Sequence, residues 1–524
     1  MNNSASGNNT SYIVMISMIV ALGGFLMGFD ASVISGVVKF IEPEFNLTKI
    51  ELGWAVSCLT LTATLAMMLA GPLSDRIGRK KVLTFAAILY AISAILSAFA
   101  PSFWLLIAAR MIGGLGVGAS LILAPMYIAE ISPPNLRGRM VSFNQLNIVV
   151  GISVAFFTNY LILKLSQSDL EWARSMKFDI YQWRWMLGLE TLPAILYFFA
   201  LYFVPKSPRW LAMKGKFDEA LQIMTKAVGP EEANKEIDEI KASITSETNL
   251  ERVPIKKLLD PTLRTVLIIG LVIGILQQIT GINSVFFYAP VIFEQSGIGT
   301  DASFSQAIMV GLINLVFTIV AILLIDRIGR KPLLIMGVSG IILSMFLLAY
   351  GFGSATYTIT EDTVSKLPAE IDRAKIVPMT GVAYDSDLSF KSALVENFGE
   401  EDAKKFESAF INNSISMNPL LVLLGVLAFV ASFAVSLGPV MWVLFSELFP
   451  NWIRGLAISF VGLANSAVSF LVQLVFPWEL ANFGNSTTFL IYGVFAVFGL
   501  IFIIFKVPET KGKSLEELEK ILVK

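Results

Sequence analysis

Apolar runs of about 20 residues alternate with short polar breaks along almost the whole chain. Each run is long enough to cross the ~30 Å of hydrocarbon in a bilayer as a helix. The pattern predicts twelve membrane spans, numbered 1 to 12 in order: 12–38, 50–72, 82–100, 103–128, 140–164, 184–204, 264–293, 304–325, 332–352, 418–446, 455–478 and 486–505. Two polar stretches interrupt the series. Residues 205–263 carry helical periodicity (Phe217, Ala220, Leu221, Met224, then Ile237, Ile240 and Ile244) and predict short amphipathic helices. Residues 353–417 predict a small subdomain or ordered loop, with no role legible from its residues.

The pattern is duplicated. GPLSDRIGRKK at 71–81 matches AILLIDRIGRKP at 321–332, and AEISPPNLRGR at 129–139 matches SELFPNWIRGL at 446–456. The first pair is offset by 251 residues and the second by 317. The discrepancy nearly equals the 65-residue segment 353–417. Removing it leaves a single period, so the expected fold is an all-α polytopic membrane protein of two pseudo-symmetric six-helix bundles. The parts are a polar tail (1–11), a first bundle (12–204), a helical linker (205–263), a second bundle (264–505) carrying the 353–417 insert, and a tail (506–524).

Composition agrees. The chain is 55% hydrophobic and 15% charged, with a mean hydropathy of +0.71, well outside the soluble range. With 39 basic and 40 acidic residues, nucleic-acid binding is excluded as the main role. The single cysteine, Cys58, lies in an apolar run, so no intramolecular disulfide forms. The chain has no histidine. Histidine catalysis and histidine metal sites are thereby excluded, and any proton relay must run through carboxylates. The uncharged residues 1–11 lack the basic region of a cleavable leader.

Charge sets the orientation. The loops at 75–81, 137–139, 205–263, 327–331, Arg454 and the C-terminal tail are basic and fall on one face of the count. The positive-inside rule makes that face cytoplasmic, with both termini inside. The opposite face carries 294–303, with no basic residue, and the insert, with 11 acidic and 6 basic residues.

Ionisable groups at membrane depth are costly and commonly functional. Asp30 in span 1, Arg110 in span 4 and Glu190 in span 6 all lie roughly 9–12 Å below the outer face, at 1.5 Å of helical rise per residue. They form a candidate acid–base cluster for coupling to a proton gradient. A second set is uncharged: Gln145, Gln277, Gln278, Asn283, Asn314 and Asn465, with Trp442. Amides donate and accept together, as sugar hydroxyls do, and an indole face suits the apolar face of a sugar ring. Amides also glue helices in bilayers, but the whole set is hard to explain that way. Gly281 and Pro290 predict a break in span 7, with Phe286, Phe287 and Tyr288 as an aromatic lid. Gly438 and Pro439 predict a break in span 10. At the cytoplasmic face, Asp75, Arg76, Arg79, Glu130 and Arg137 repeat as Asp326, Arg327, Arg330, Glu447 and Arg454. Acid and arginine at helix ends make a candidate conformational latch.

These residues resemble the sugar porter family of the major facilitator superfamily, and more closely its bacterial pentose/hexose–proton symporters. The likeness rests on GFLMGFDASVISG (24–36), DRIGRKK, RMIGGLGVG (110–118), PMYIAEISPPNLRGR (125–139), VPKSPRWL (204–211), QQITGINSVFFYAP (277–290), DRIGRK, GPVMWVLFSELFP (438–450) and VPETKGKSLEE (507–517). It implies sugar binding mostly by the second half through Gln277, Gln278, Asn283, Asn314, Trp442 and Asn465, with Gln145 from the first. It also implies proton coupling through Asp30, Arg110 and Glu190. The family's PESPRW is here PKSPRW, so Lys206 replaces an acid. Ser466 and Met27 stand where aromatics are common.

The expected function is therefore proton-coupled symport of a monosaccharide or polyol by alternating access in the plasma (bacterial inner) membrane. The protein is expected to act as a monomer, with the proton as coupling ion and no cofactor or metal. A uniporter of the same fold and a non-transporting sugar sensor are the rival readings. An enzyme is the least supported, since no nucleophile–base pair is visible.

Overall fold

The computed structural model describes residues 5–247, 254–450, 452–513 and 517–519. Parts of the expected tails (1–4, 514–516, 520–524) and of the linker (248–253) lie outside the described residues. All twelve apolar runs are helical. Spans 1 to 5 are Ala5–Glu44, Lys49–Ile77, Arg79–Ala98, Phe103–Ile131 and Pro134–Ser166. Span 6 is two pieces, Gln182–Gly188 and Thr191–Ala200, and span 7 is three: Arg264–Ile279, Ile282–Phe287 and Ala289–Glu294. Spans 8 and 9 are Gly299–Ile328 and Arg330–Gly353, and span 10 is Pro419–Val435 followed by Leu437–Leu448. Arg454–Lys506 carries spans 11 and 12, separated by a break at Gly484 (φ 77°, ψ 167°). Most helices overrun the expected ends, because hydropathy marks only the part in hydrocarbon while backbone hydrogen bonding continues into the interface.

Helix ends follow local chemistry. Span 2 opens with a reciprocal cap: Glu51 accepts from the Thr48 amide at 2.8 Å, and Thr48 Oγ1 accepts from the Glu51 amide at 3.2 Å. The duplicated basic loop breaks the helix at the same place twice, at Gly78 (φ 100°) and Gly329 (φ 106°). Such positive φ with extended ψ strongly favours a residue without Cβ, which is why DRIGRK holds its glycine in both copies.

The chain forms two compact units. One is Met1–Ser32, Cys58–Ala155 and Arg184–Pro254; the other is Val33–Ser57, Phe156–Trp183 and Ile255–Lys524. These units cut across the sequence halves, because the outer ends of spans 1, 2 and 5 belong to the second. Contacts inside that unit explain the assignment. Trp54 meets the Phe470 ring edge-on at 5.7 Å, and a Cβ on Gly53 would lie 1.9 Å from the Leu474 carbonyl oxygen. Close backbone approach at small residues is how helices pack in lipid, where burial of apolar surface supplies little drive.

The first unit carries the linker helices Pro208–Met213, Phe217–Val228 and Pro230–Glu247 around Leu211, Ala220, Met224, Ala233 and Ile237. In the second unit the 353–417 insert folds as a subdomain with its own core. Its three strands, β1 (Thr356–Thr358), β2 (Ala383–Tyr384) and β3 (Ile415–Ser416), form an antiparallel sheet in the order β2-β1-β3. Tyr357, Phe390, Phe410 and Ile411 fill the space between the sheet and the helices Asp387–Phe398 and Glu400–Ser414. Asp387 ties the insert to span 12, accepting from the Asn485 amide at 3.0 Å and its side chain at 2.9 Å.

Candidate functional site

The first unit holds Asp30, Arg110 and Glu190 together in its interior. All three are buried, with 2%, 1% and 2% exposure. Arg110 Nη1 lies 3.5 Å from Asp30 Oδ1. Glu190 sits where span 6 breaks between its two helical pieces, within electrostatic range of both partners. Among the described residues, Asp30 Oδ2 and Glu190 Oε1 have no hydrogen-bond partner. Two carboxylates therefore face one guanidinium, and one added proton makes the charges sum to zero. Breaking or unbalancing a buried ion pair costs ~3–5 kcal/mol, so the charge states of these three groups depend on one another.

Its surroundings were not singled out from sequence. A Cβ on Gly113 would fall 2.5 Å from Ser93 Oγ and 2.7 Å from Asp30 Oδ2, so a larger residue there would displace the acid or the serine. Tyr90 and Ser93 are buried on the same face of span 3, and Cys58 hydrogen-bonds with Arg110. The available signal was the i, i+3 spacing of Tyr90 and Ser93 within an apolar helix.

In the second unit the amides form a connected network. Span 7 stops at Gly281, which adopts a left-handed conformation (φ 86°). Gln277 and Gln278 end the first piece of the span and Asn283 opens the next. Gln277 donates to the Leu437 carbonyl at 2.9 Å, at the break in span 10. Asn465 donates to Gln277 Oε1 at 2.9 Å and to the Gly274 carbonyl at 2.8 Å. Gln278 donates to Gln277 at 3.1 Å, and Asn283 donates to Gln278 Oε1 at 2.8 Å. Ser469, not singled out from sequence, accepts from Asn283 at 2.7 Å and from Gln473 at 2.8 Å.

The network leaves capacity over. Among the described residues, Asn314 is buried and has no hydrogen-bond partner, and Asn283 Oδ1 accepts nothing. Trp442 is 47% exposed on span 10. Groups that both donate and accept match the hydroxyls of a polyhydroxylated ring. Phe286, Phe287 and Tyr288 are buried outward of the amides, with Tyr288 donating to the Gln473 carbonyl at 3.4 Å. Gln145 lies in the first unit, exposed on span 5.

The repeated loop charges pair inside each unit. Arg79 binds Asp75 at 2.6 Å and Glu130 at 3.1 Å. Its counterpart Arg330 binds Asp326 at 3.2 Å and Glu447 at 2.8 Å. A hydroxyl completes each acid: Ser207 donates to Glu130, and Thr510 donates to Glu447 at 2.6 Å. The remaining arginines do not join these pairs. Arg137 donates to the Ala129 carbonyl at 3.1 Å and Arg454 to the Phe449 carbonyl at 3.0 Å. Arg76 and Arg327 are exposed and, among the described residues, face no carboxylate. The two hydroxyls had a readable signal, since Val-Pro closes the last span of each half at 204–205 and 507–508.

Comparison with known proteins gives a consistent result. The family model for "Sugar (and other) transporter" matches residues 16–380 and 407–522. The D-xylose-proton symporter of Escherichia coli (strain K12) is 35% identical, over 98% of this chain and 96% of that protein. The arabinose-proton symporter of Bacillus subtilis (strain 168) is 33% identical, over 99% and 96% respectively. Among solved structures, the inward-open conformation of the xylose transporter XylE from E. coli superposes with a TM-score of 0.73 at 32% identity. It covers 98% of this chain and 100% of that one. The proton:xylose symporter XylE bound to 6-bromo-6-deoxy-D-glucose superposes at 0.69 and 34% identity, with the same coverage.

Proposed function

The chain belongs to the sugar transporter family and has the major facilitator fold, and from that premise we propose that it is a proton-coupled monosaccharide symporter working by alternating access. The observation that carries the coupling is the membrane-buried triad of Asp30, Arg110 and Glu190, two acids around one arginine. A proton arriving on Asp30 or Glu190 weakens the hold of Arg110 on Asp30. The freed arginine then favours a different packing of spans 1, 4 and 6.

Sugar enters the second-unit network, where Asn283 and Asn314 offer unused hydrogen-bonding groups. Its binding draws the short middle piece of span 7 onto it, and the Gly281 hinge permits that movement. A ligand shifts such an equilibrium only by its differential affinity for the two states. A potential of 100 mV contributes roughly 2.3 kcal/mol per charge, enough for about fortyfold accumulation at 1.4 kcal/mol per decade.

The substrate class is a pentose or hexose, or a related polyol. The coupling ion is the proton and no cofactor takes part. The protein is an integral, multi-pass membrane transporter. We place both termini in the cytoplasm of a monomer in the plasma membrane, because the basic loops all fall on that face. The test is Asp30→Asn in proteoliposomes. Uphill uptake driven by a proton gradient is expected to vanish while sugar counterflow persists. Undiminished accumulation by the variant would overturn the coupling scheme.

A further inference from the structure

The insert meets the end of span 7 at a buried carboxylate. Glu294 closes the last piece of span 7 and is 7% exposed. Its Oε1 accepts from Ser408 of the insert at 2.6 Å, from Thr300 at 2.7 Å and from Lys39 of span 1. Three elements far apart in sequence thus converge on one oxygen.

The neighbouring contacts repeat the arrangement. Asn412 of the insert accepts from the Gly299 amide at 3.3 Å, and Gln295 donates to Glu407 at 3.4 Å. Glu407 also pairs with Lys391 at 3.0 Å. It lies in the field of Lys49 at the start of span 2, which itself holds Glu42 at 2.5 Å. At the end of span 5, Lys164 and Gln167 bind Asp301 at 2.6 and 2.8 Å. The first-half helices 1, 2 and 5 therefore have their outer ends anchored within the second unit by charge, while the inner parts of the same helices belong to the first unit.

We propose that the insert is an outer clamp on the transport cycle, with Glu294 as its positioning residue. The insert braces the turn 294–301, the turn holds Lys39 and Lys164, and the outer ends of spans 1 and 5 cannot leave until these bonds part. An alternating carrier must release them to admit sugar from outside, so the clamp raises the free energy of the outward-open state. It does so without contacting sugar. Glu407, which backs the turn, stays charged in the working range. Burial pushes the Glu407 carboxyl up, but the charges of Lys391 and Lys49 and hydrogen bonds from Lys391 and Gln295 hold it down at about 2.

This rests on the transport reading, and the test separates the two. Full-length Ser408→Ala and Glu294→Gln are compared with wild type by hydrogen–deuterium exchange without sugar, and by influx kinetics in proteoliposomes. Exchange is expected to rise in 33–44 and 294–301 while the insert core around Tyr357 and Phe390 stays protected. External KM is expected to fall about fivefold, because the competent state is populated more often. Maximal accumulation should not change, since the clamp alters no driving force. Lys39→Glu combined with Glu294→Lys should restore the wild-type KM. Unchanged exchange in 33–44 with unchanged KM would overturn the clamp, even if melting temperature fell. If wild type moved no sugar at all, the transport reading would fail, and the exchange data would still decide the clamp.

Discussion

The two halves carry the same basic-loop motif with one residue exchanged, and the exchange has a structural consequence. In the second half, Glu509 of the Val-Pro-Glu-Thr stretch accepts from the Arg330 and Lys331 amides at 3.2 and 3.0 Å. It thereby caps the start of span 9, where unpaired amides and the helix dipole both favour an anion. In the first half the matching residue is Lys206. It turns to Glu219 at 3.5 Å, and span 3 starts at Gly78 without a side-chain cap. The arginine–glutamate pair survives in both halves, because Ser207 and Thr510 supply the same hydroxyl. The motif is therefore two separable devices, a charge pair between helix ends and a cap on the following helix. Only the second half keeps both.

The largest effect should come from breaking the pairs. Arg79 and Glu130 are 5% and 7% exposed, against 12% and 19% for Arg330 and Glu447. Glu130→Gln leaves the buried Arg79 guanidinium with only the half-exposed Asp75 as counter-charge, at a cost of up to about 3–5 kcal/mol. Glu447→Gln should cost less, about 1–3 kcal/mol, because water reaches the site. Thermal unfolding in detergent checks the order, and a larger loss for Glu447→Gln would contradict it.

Removing the cap should cost about 1 kcal/mol in Glu509→Ala, read as faster exchange at the Arg330 and Lys331 amides. Lys206→Ala should change stability by less than about 0.5 kcal/mol, since its exposed pair with Glu219 contributes little. Restoring the acid is the sharper trial. Lys206→Glu is expected to slow exchange at the start of span 3 and to add about 0.3–1 kcal/mol. No change there would mean that the missing cap is of no consequence in the first half.

A second contrast between the halves lies on the outer face. Span 3 passes to span 4 in four residues (99–102), whereas span 9 reaches span 10 through the folded insert. The insert should show the smallest response of all to pH. The Glu407 pKa is depressed from 4.5 to about 2, so its stabilisation is fully present above pH 4.5 and is lost as pH falls towards 2. Protection of the helix Glu400–Ser414 is expected to be flat between pH 7 and 5 and to drop only below about 4.5. A loss between pH 7 and 5 would show that Glu407 is not held by Lys391 and Lys49.

Much of this was legible beforehand because it is local. A run of apolar residues reports a span wherever it occurs; Gly281 announced the break in span 7, whereas span 10 breaks at Ser436, two residues before the expected Gly438. The pairing of Arg79 with Glu130 was half visible: the motif repeats, but nothing in it singles out Arg79 over Arg76. Side-chain direction decides that, since Arg79 opens span 3 facing span 4 while Arg76 points outward. Ser93 and Ser469 were passed over because a serine in an apolar helix is common and looks the same whether or not an acid or amide faces it.

By itself the sequence determined the number of spans, their duplication and the polar residues carried into them, since each follows from hydropathy, period and charge read along the chain. Only the tertiary structure decided that Lys206 leaves span 3 uncapped, that the insert reaches Glu294, and that the outer ends of spans 1, 2 and 5 fold with the second unit. Those facts depend on which distant residues share one place, and contacts between residues 255 positions apart, such as Lys39 and Glu294, leave no periodic trace in the chain.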